Sequence, residues 1–306
     1  MNSPKAARQS SAFYGWYMLL ACTIVRGFTA PGQTIGVSAF TDDLIESLGT
    51  TRSAVSTAYL VGTLTGAAAL PFVGRWVDRA GVKRTLTVIS IGFAAAVALT
   101  GTVQNIVMLA FAFVGLRMLG QGSMSLIGTQ GVVMWFERRR GFALALNTMG
   151  TVAILSLAPL TFAALIRAFG WRTTWLILGV VVAITIVPIA RFLIIDRPED
   201  IGQVPDGKAT DQPVDRIRGR SYTVAEAVRT PAFWTLTSIG FMAGAVSTAL
   251  TFHNTDLLGE QGLSKTQAAA VFIPQLIGSV SSSFVVGSLT DRLPARPLMF
   301  FGGIML

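Results

Sequence analysis

Long apolar runs recur along this chain, each of them sufficient to cross a lipid bilayer as a helix. About 20 consecutive apolar residues span the hydrocarbon layer, where a helix satisfies its own backbone hydrogen bonds. Eight runs of that size are present, and a ninth begins near Pro297. We therefore expect an all-α, multi-spanning membrane protein. The runs cover approximately residues 14–40, 53–76, 84–103, 106–134, 141–167, 171–195, 232–258 and 265–289.

The composition agrees with a membrane protein and excludes a soluble domain. Of the 306 residues, 52% are hydrophobic and 13% are charged, whereas charged residues make up about a quarter of soluble proteins. The net charge of +9 would suit a nucleic-acid partner, but the basic residues stand in short clusters between apolar runs. Such clusters set membrane topology. We therefore expect a lipid bilayer as the partner, and no nucleic acid.

The distribution of lysine and arginine predicts the orientation in the membrane. If the N-terminus is cytoplasmic, eighteen of these residues lie in cytoplasmic segments and only four lie outside. Loops rich in Lys and Arg remain on the cytoplasmic side, so we expect a multi-pass protein of the cell membrane with a cytoplasmic N-terminus. Tryptophans near the ends of runs are expected as interface anchors, namely Trp16, Trp135, Trp171, Trp175 and Trp234.

One long polar segment, residues 196–230, divides the chain after the sixth run. Its proline and glycine content argues against a folded domain, although residues 222–228 favour a short amphipathic surface helix. We expect four parts: a cytoplasmic tail (1–13), a six-helix half (14–195), a cytoplasmic linker (196–230) and an incomplete second half (231–306).

A sequence repeat relates the two halves. It pairs residues 74–79, GRWVDR, with residues 287–292, GSLTDR, which stand 213 residues further on. Each copy ends an apolar run, and the match continues without a gap over about thirty residues. A repeat of this length indicates a duplicated architecture.

The first copy and the residues after it, Gly74-x-x-x-Asp78-Arg79-x-Gly81-x-Lys83-Arg84, resemble the signature loop of the major facilitator superfamily. It lies between the second and third runs, and Arg117-x-x-x-Gln121-Gly122 in the fourth run resembles a second motif of that family. Residues 14–16 (YGW), 135–141 (WFERRRG), 197–202 (RPEDIG) and 205–207 (PDG) are similar to the branch of monocarboxylate porters and oxalate/formate antiporters.

This resemblance implies a carrier whose two halves expose one central site to each side of the membrane in turn. Asp78 and Arg79 would pair with a helix end or a charge on the other half and latch the cytoplasmic side closed, while Gly74 would let two helices approach closely. The alternative is a loop that only sets topology. The expected gating residues are Gly74, Asp78, Arg79, Gly81, Arg84, Asp291 and Arg292.

The chain departs from the family pattern in two places. The second copy has Leu293-Pro294 where the first has Gly81, so its gating role is weaker. The family has twelve spans, whereas this chain supplies eight and the start of a ninth, so we expect the C-terminal part to be missing. A truncated, non-transporting remnant or a membrane receptor with the same fold is the alternative function.

Two arginines lie deep inside apolar runs, where a charge is costly and usually functional. Arg26 is twelve residues into the first run and Arg117 eleven into the fourth, which places both near the middle of the membrane. No Asp or Glu lies inside the first six runs to neutralise them. Because a guanidinium binds a carboxylate through two parallel hydrogen bonds, we expect small organic anions, and carboxylates in particular, as substrates.

Other roles stay open for these arginines. Arg117 can donate to backbone carbonyls beside a broken part of the first span, which we expect near Gly27, Pro31 and Gly32, and Arg26 can extend towards the membrane surface. Polar residues of other runs suit a central cavity, although each can instead bond between helices. The expected substrate-binding residues are Arg26, Gln33, Arg117, Gln121, Asn147 and Gln275.

The coupling reaction is proton symport or anion exchange. His253 stands one helical turn before Asp256, and imidazole titrates near neutral pH, so this pair is a candidate proton relay; a hydrogen-bonded pair at the outer rim is the alternative. One histidine, no metal-ligand cluster and no phosphate-binding loop argue against an enzyme. We expect a secondary active transporter that works by alternating access, with no cofactor and no metal.

Overall fold

The computed structural model describes residues 13–207, 224–263 and isolated positions between 267 and 285, and every regular element in these residues is a helix. Three-10 turns cover Ala30–Gly32, Pro198–Ile201 and Pro205–Gly207, and π-helical turns cover Leu116–Met124 and Ile189–Leu193. The α-helices are α1 (Gly15–Gly27), α2 (Thr34–Ser38), α3 (Thr41–Leu48), α4 (Arg52–Ala80), α5 (Val82–Thr100), α6 (Ile106–Gly115), α7 (Ser125–Trp135), α8 (Arg140–Pro188), α9 (Val224–Ala227) and α10 (Pro231–Glu260).

Membrane-length helices account for most of these residues. Five stretches of the described chain are long and apolar enough to span a bilayer, and one of them, Arg140–Leu193, has 54 residues. A straight helix of that length would measure about 80 Å, more than twice the hydrocarbon thickness. Gly170 interrupts it with φ 74° and ψ 160°, so the fifth and sixth runs form two crossings joined by a single residue.

The first run is not one continuous span. We expected it to cover about residues 14–40 with a broken part near Gly27, Pro31 and Gly32, and α1 does end at Gly27, with α2 beginning only at Thr34. Pro31 has no backbone N–H and its ring collides with the preceding turn, which breaks a helix. The break, residues 28–33, begins two residues after Arg26 and includes Gln33.

The long helices of the described chain pack against one another in pairs. Helix α1 contacts α7 and α8, α4 packs on α6, α5 packs on α8, and α10 contacts α2. Many large apolar side chains are exposed on the outside of the bundle, including those of Phe72, Phe111 and Phe192. An exposed apolar surface of this extent suits contact with lipid. The division of the chain into two halves at the linker stays a prediction.

Two of the tryptophans expected at the membrane interface lie in the core instead. Trp135 and Trp175 are fully buried. The Trp135 Nε1–H donates to the Ile195 carbonyl at 3.3 Å, and the Trp175 ring lies 4.4 Å from that of Phe40. The interface prediction was wrong for this pair, because the broken first run and the chain after α8 fold back over the ends of the bundle.

Candidate functional site

Arg26 and Asn147, which the sequence places in different spans, meet inside the bundle. The Arg26 Nη1–H donates to Asn147 Oδ1. The Asn147 amide in turn donates to Thr23 Oγ1 at 2.9 Å, and the Thr23 hydroxyl donates to the Leu19 carbonyl at 2.7 Å. Asn147 is fully buried. This hydrogen-bonded chain fixes Arg26 on one face of α1, directly before the break.

One edge of the Arg26 guanidinium makes no hydrogen bond within the described residues. Its Nε atom is buried and has no hydrogen-bond partner among the described residues. A buried donor without an acceptor costs about 1–3 kcal/mol, and the adjacent Nε and Nη groups match the two oxygens of a carboxylate. The geometry is therefore suited to a small anion that supplies the missing acceptor.

Arg117 lies in a second, separate polar cluster. It is 6% exposed. Its Nε–H donates to Thr63 Oγ1 at 3.0 Å, and its Nη1–H makes a long contact of 3.5 Å with the Gly32 carbonyl in the break. The guanidinium also lies 4.7 Å above the Tyr59 ring, whose hydroxyl is 2.7 Å from Thr34 Oγ1. These contacts match the structural alternative, in which Arg117 holds the broken first run.

The three glutamines of the expected site have different surroundings. Gln33 donates through Nε2 to Thr29 Oγ1 at 2.9 Å, at the level of the break. Gln121 lies in the π-helical turn, and its Oε1 atom is buried without a partner among the described residues. Gln275 is exposed, and within the described chain no hydrogen bond joins it to Arg26 or Arg117.

The signature loop contains a helix cap that the sequence did not reveal. Gly81 has φ 82°, and a Cβ atom there would lie 2.7 Å from Asp196 Oδ2. Asp196 Oδ1 accepts a hydrogen bond from the Lys83 N–H at 2.8 Å, in the first turn of α5. A carboxylate at a helix N-terminus satisfies a free N–H and interacts favourably with the helix dipole.

The remaining gating residues lie at the ends of α4 and α5. Asp78, Arg79 and Arg84 are exposed, and in residues 13–207 and 224–263 no ion pair joins Asp78 or Arg79 to another side chain. A Cβ at Gly74 would meet no atom within 4 Å, so the close helix approach expected there is absent from the described chain. Asp291 and Arg292 lie outside the described residues, and the latch stays a proposal.

The start of the linker folds back onto the same end of the bundle. Asp206, with φ 59°, accepts hydrogen bonds through Oδ2 from the backbone N–H groups of Glu137 at 3.1 Å and Arg138 at 2.6 Å. Gln203 Oε1 accepts one from the Tyr14 N–H at 2.9 Å. We call residues 196–207 the clasp. The sequence argued against a folded domain in the linker, and the clasp is ordered instead by contacts with distant residues.

The candidate proton relay is only partly described. His253 is exposed on α10, and the side chain of Asp256 lies outside the described residues. Their interaction stays a prediction. The expected helix over residues 222–228 is present as α9, Val224–Ala227.

A bundle of membrane-length helices with a broken first span and buried arginines defines a polytopic helical membrane protein. The sequence model of the Major Facilitator Superfamily matches residues 22–306, and the chain belongs to that family. The family expected from the signature loop and the all-α membrane fold expected from the apolar runs are thereby confirmed.

Curated relatives include transporters of several kinds. The multidrug resistance protein MdtG of Proteus mirabilis is 26% identical over 254 residues, which are 81% of this chain and 60% of that protein. The probable sulfoacetate transporter SauU of Cupriavidus necator is 24% identical, over 92% of this chain and 66% of its own length. The oxalate:formate antiporter of Oxalobacter formigenes is 24% identical, over 77% of this chain and 54% of its own length.

A solved structure shows the same fold. It is a bacterial homologue of the human lysosomal transporter Spinster, in an inward-facing and unoccupied conformation, with a TM-score of 0.60 and 16% identity. The match covers 94% of this chain and 65% of that protein. The chain thus spans roughly half to two thirds of the length of these relatives.

Proposed function

We propose that the protein is a secondary active transporter of small organic anions, carboxylates in particular, and that it works by alternating access. The observation that carries this proposal is the Arg26 guanidinium, which Asn147 holds on one side and whose buried Nε has no partner within the described chain. A charge in a membrane span is retained where it has a function.

The environment of Arg26 favours an anion over a cation or a neutral substrate. No Asp or Glu stands in the first six apolar runs to compensate it. A carboxylate would both neutralise the charge and accept from the free edge of the guanidinium. The names of two relatives include small organic anions, oxalate and formate in one case and sulfoacetate in the other. These names support the same substrate class.

The remaining predicted residues have defined parts in this proposal. Gln33 and Gln121 line the substrate path beside the break in the first span, and Gln275 contributes from the second half. The signature loop, with Asp78, Arg79 and Arg84, closes one side of the site together with Asp291 and Arg292. The coupling is exchange for a second anion or symport with a proton, and in the latter case His253 and Asp256 form the relay.

Export of apolar compounds is a second candidate function. A groove of about 230 Å³ lies beside α1, lined by apolar residues that include Phe28, Pro31, Leu157 and Phe162. Such a groove suits a hydrophobic ligand, and MdtG is named as a multidrug resistance protein.

Flux into proteoliposomes that contain the full-length protein distinguishes these functions. We expect saturable uptake of labelled oxalate or formate, inhibited by unlabelled carboxylates and unaffected by a neutral ester of the same size. Movement of a lipophilic cation without any anion flux would overturn the anion proposal and favour drug export. Anion binding without flux would instead favour the receptor alternative.

A further inference from the structure

The side chain of Arg26 lies directly against the backbone of α7 at Gly128. A Cβ atom at position 128 would be 2.8 Å from Arg26 Cγ and 3.2 Å from Cδ. Real Cβ atoms essentially never come this close to another heavy atom, so a side chain at position 128 would force a displacement. Cγ is near the root of the arginine side chain, and it can move away only if χ1 changes or if α1 and α7 separate.

A second glycine, Gly150, lies against Thr23, the residue that accepts a hydrogen bond from Asn147. A Cβ atom at Gly150, on α8, would be 2.5 Å from Thr23 Cγ2. Thr23 is the residue to which the Asn147 amide donates. The two glycines therefore lie against the two ends of the hydrogen-bonded chain that runs from Thr23 through Asn147 to Arg26.

We propose that Gly128 and Gly150 are positioning residues that set the location and orientation of the Arg26 guanidinium, and thereby the affinity for the anion. This inference rests on the proposed function, in which Arg26 binds the substrate. With an alanine at position 128, the arginine stem moves off α7, the bond to Asn147 is lost, and the free Nε edge turns away from the site. Neither glycine touches the anion; each acts through a neighbouring side chain.

Gly131 provides a matched control for Gly128. It lies one turn further along α7, faces the same helix α1, and a Cβ there would be 2.8 Å from Cys22 Sγ. The contact is as close as that at Gly128, but it involves an uncharged side chain. If helix packing alone matters, the two substitutions Gly128→Ala and Gly131→Ala have equal effects.

The test uses the purified full-length protein with oxalate as the probe. Its affinity is measured by calorimetry and by the concentration dependence of uptake, and thermal unfolding is followed in parallel. We expect Gly128→Ala to weaken oxalate affinity about tenfold, as the loss of one charge-assisted hydrogen bond would. Gly131→Ala should leave the affinity within about twofold, although both variants lose thermal stability. Equal affinities for the two variants would overturn the proposal.

A compensating pair keeps the test decisive if Gly128→Ala does not fold. Gly150→Ala collides with Thr23 Cγ2, and Thr23→Ser removes that methyl group while it keeps the hydroxyl that accepts from Asn147. We expect Gly150→Ala to weaken oxalate affinity and the double variant to recover most of it. A double variant as weak as Gly150→Ala would contradict the positioning role. If Arg26→Gln itself leaves the affinity unchanged, the proposed function fails rather than this inference.

Discussion

The carboxylate of Asp196 lies against the bare Cα of Gly81. The two residues are far apart in sequence, yet a Cβ at position 81 would be 2.7 Å from Asp196 Oδ2, and the other carboxylate oxygen caps the first turn of α5 through the Lys83 N–H. Gly81 thus has two reasons to be glycine: its positive φ and the close approach of the cap. This contact joins the signature loop to the C-terminal end of the sixth span.

Replacement of Gly81 by alanine should destabilise the protein by about 2 kcal/mol or more, because a backbone at φ 82° and ψ 165° costs a residue with a Cβ about 1–3 kcal/mol and the cap must also move. Thermal unfolding in detergent measures this. Gly74→Ala in the same loop is the matched control, since a Cβ there meets no atom within 4 Å and alanine is favoured inside a helix. Equal melting temperatures for both variants would show that the cap has no energetic role.

The hydrogen bonds of Asp206 should protect the backbone of residues 137–139 from solvent. Asp206→Gly keeps the freedom to adopt φ 59° but removes the acceptor, whereas Asp206→Asn keeps both. We expect fast amide hydrogen exchange at residues 137–139 in the glycine variant and near-native exchange in the asparagine variant, as measured by mass spectrometry. Unchanged exchange in Asp206→Gly would show that Asp206 does not protect these amides.

Arg117 should be required for folding more than for anion binding. Lysine keeps the charge but cannot reproduce the contacts to Thr63 and Gly32 or the planar contact with Tyr59. We therefore expect Arg117→Lys and Arg117→Gln to destabilise the protein alike, by about 2 kcal/mol, because buried polar groups lose their hydrogen bonds. Oxalate affinity of the folded fraction should be nearly native. An affinity that Lys preserves and Gln abolishes would instead support a direct contact with the substrate.

The spans could be read from the sequence because each apolar run is a continuous local signal. The proline-containing stretch near Pro31 indicated a weak point in the first run, and the structure places the break there. The pairing of Arg26 with Asn147 could not be derived, since polar residues in separate spans show which helices face inward but not which atoms meet.

The clasp was not predictable for a related physical reason. Asp196 and Asp206 stand in a segment rich in proline and glycine, whose local pattern favours irregular structure. Their order comes from backbone N–H groups at Lys83 and Arg138, which are distant in sequence. Nothing in the local pattern of charges identifies these two carboxylates as acceptors for backbone N–H groups so far away in the sequence.

The central claim is that Arg26 binds the anion, and the most direct test is oxalate uptake by Arg26 variants of the full-length protein. We expect Arg26→Gln to reduce uptake to background and Arg26→Lys to retain a small part of it, about a tenth, because the charge remains but the bidentate geometry is lost. Arg191→Gln, at an exposed arginine, serves as the control and should transport like the native protein. Native uptake by Arg26→Gln, at equal amounts of protein in the membrane, would contradict the account.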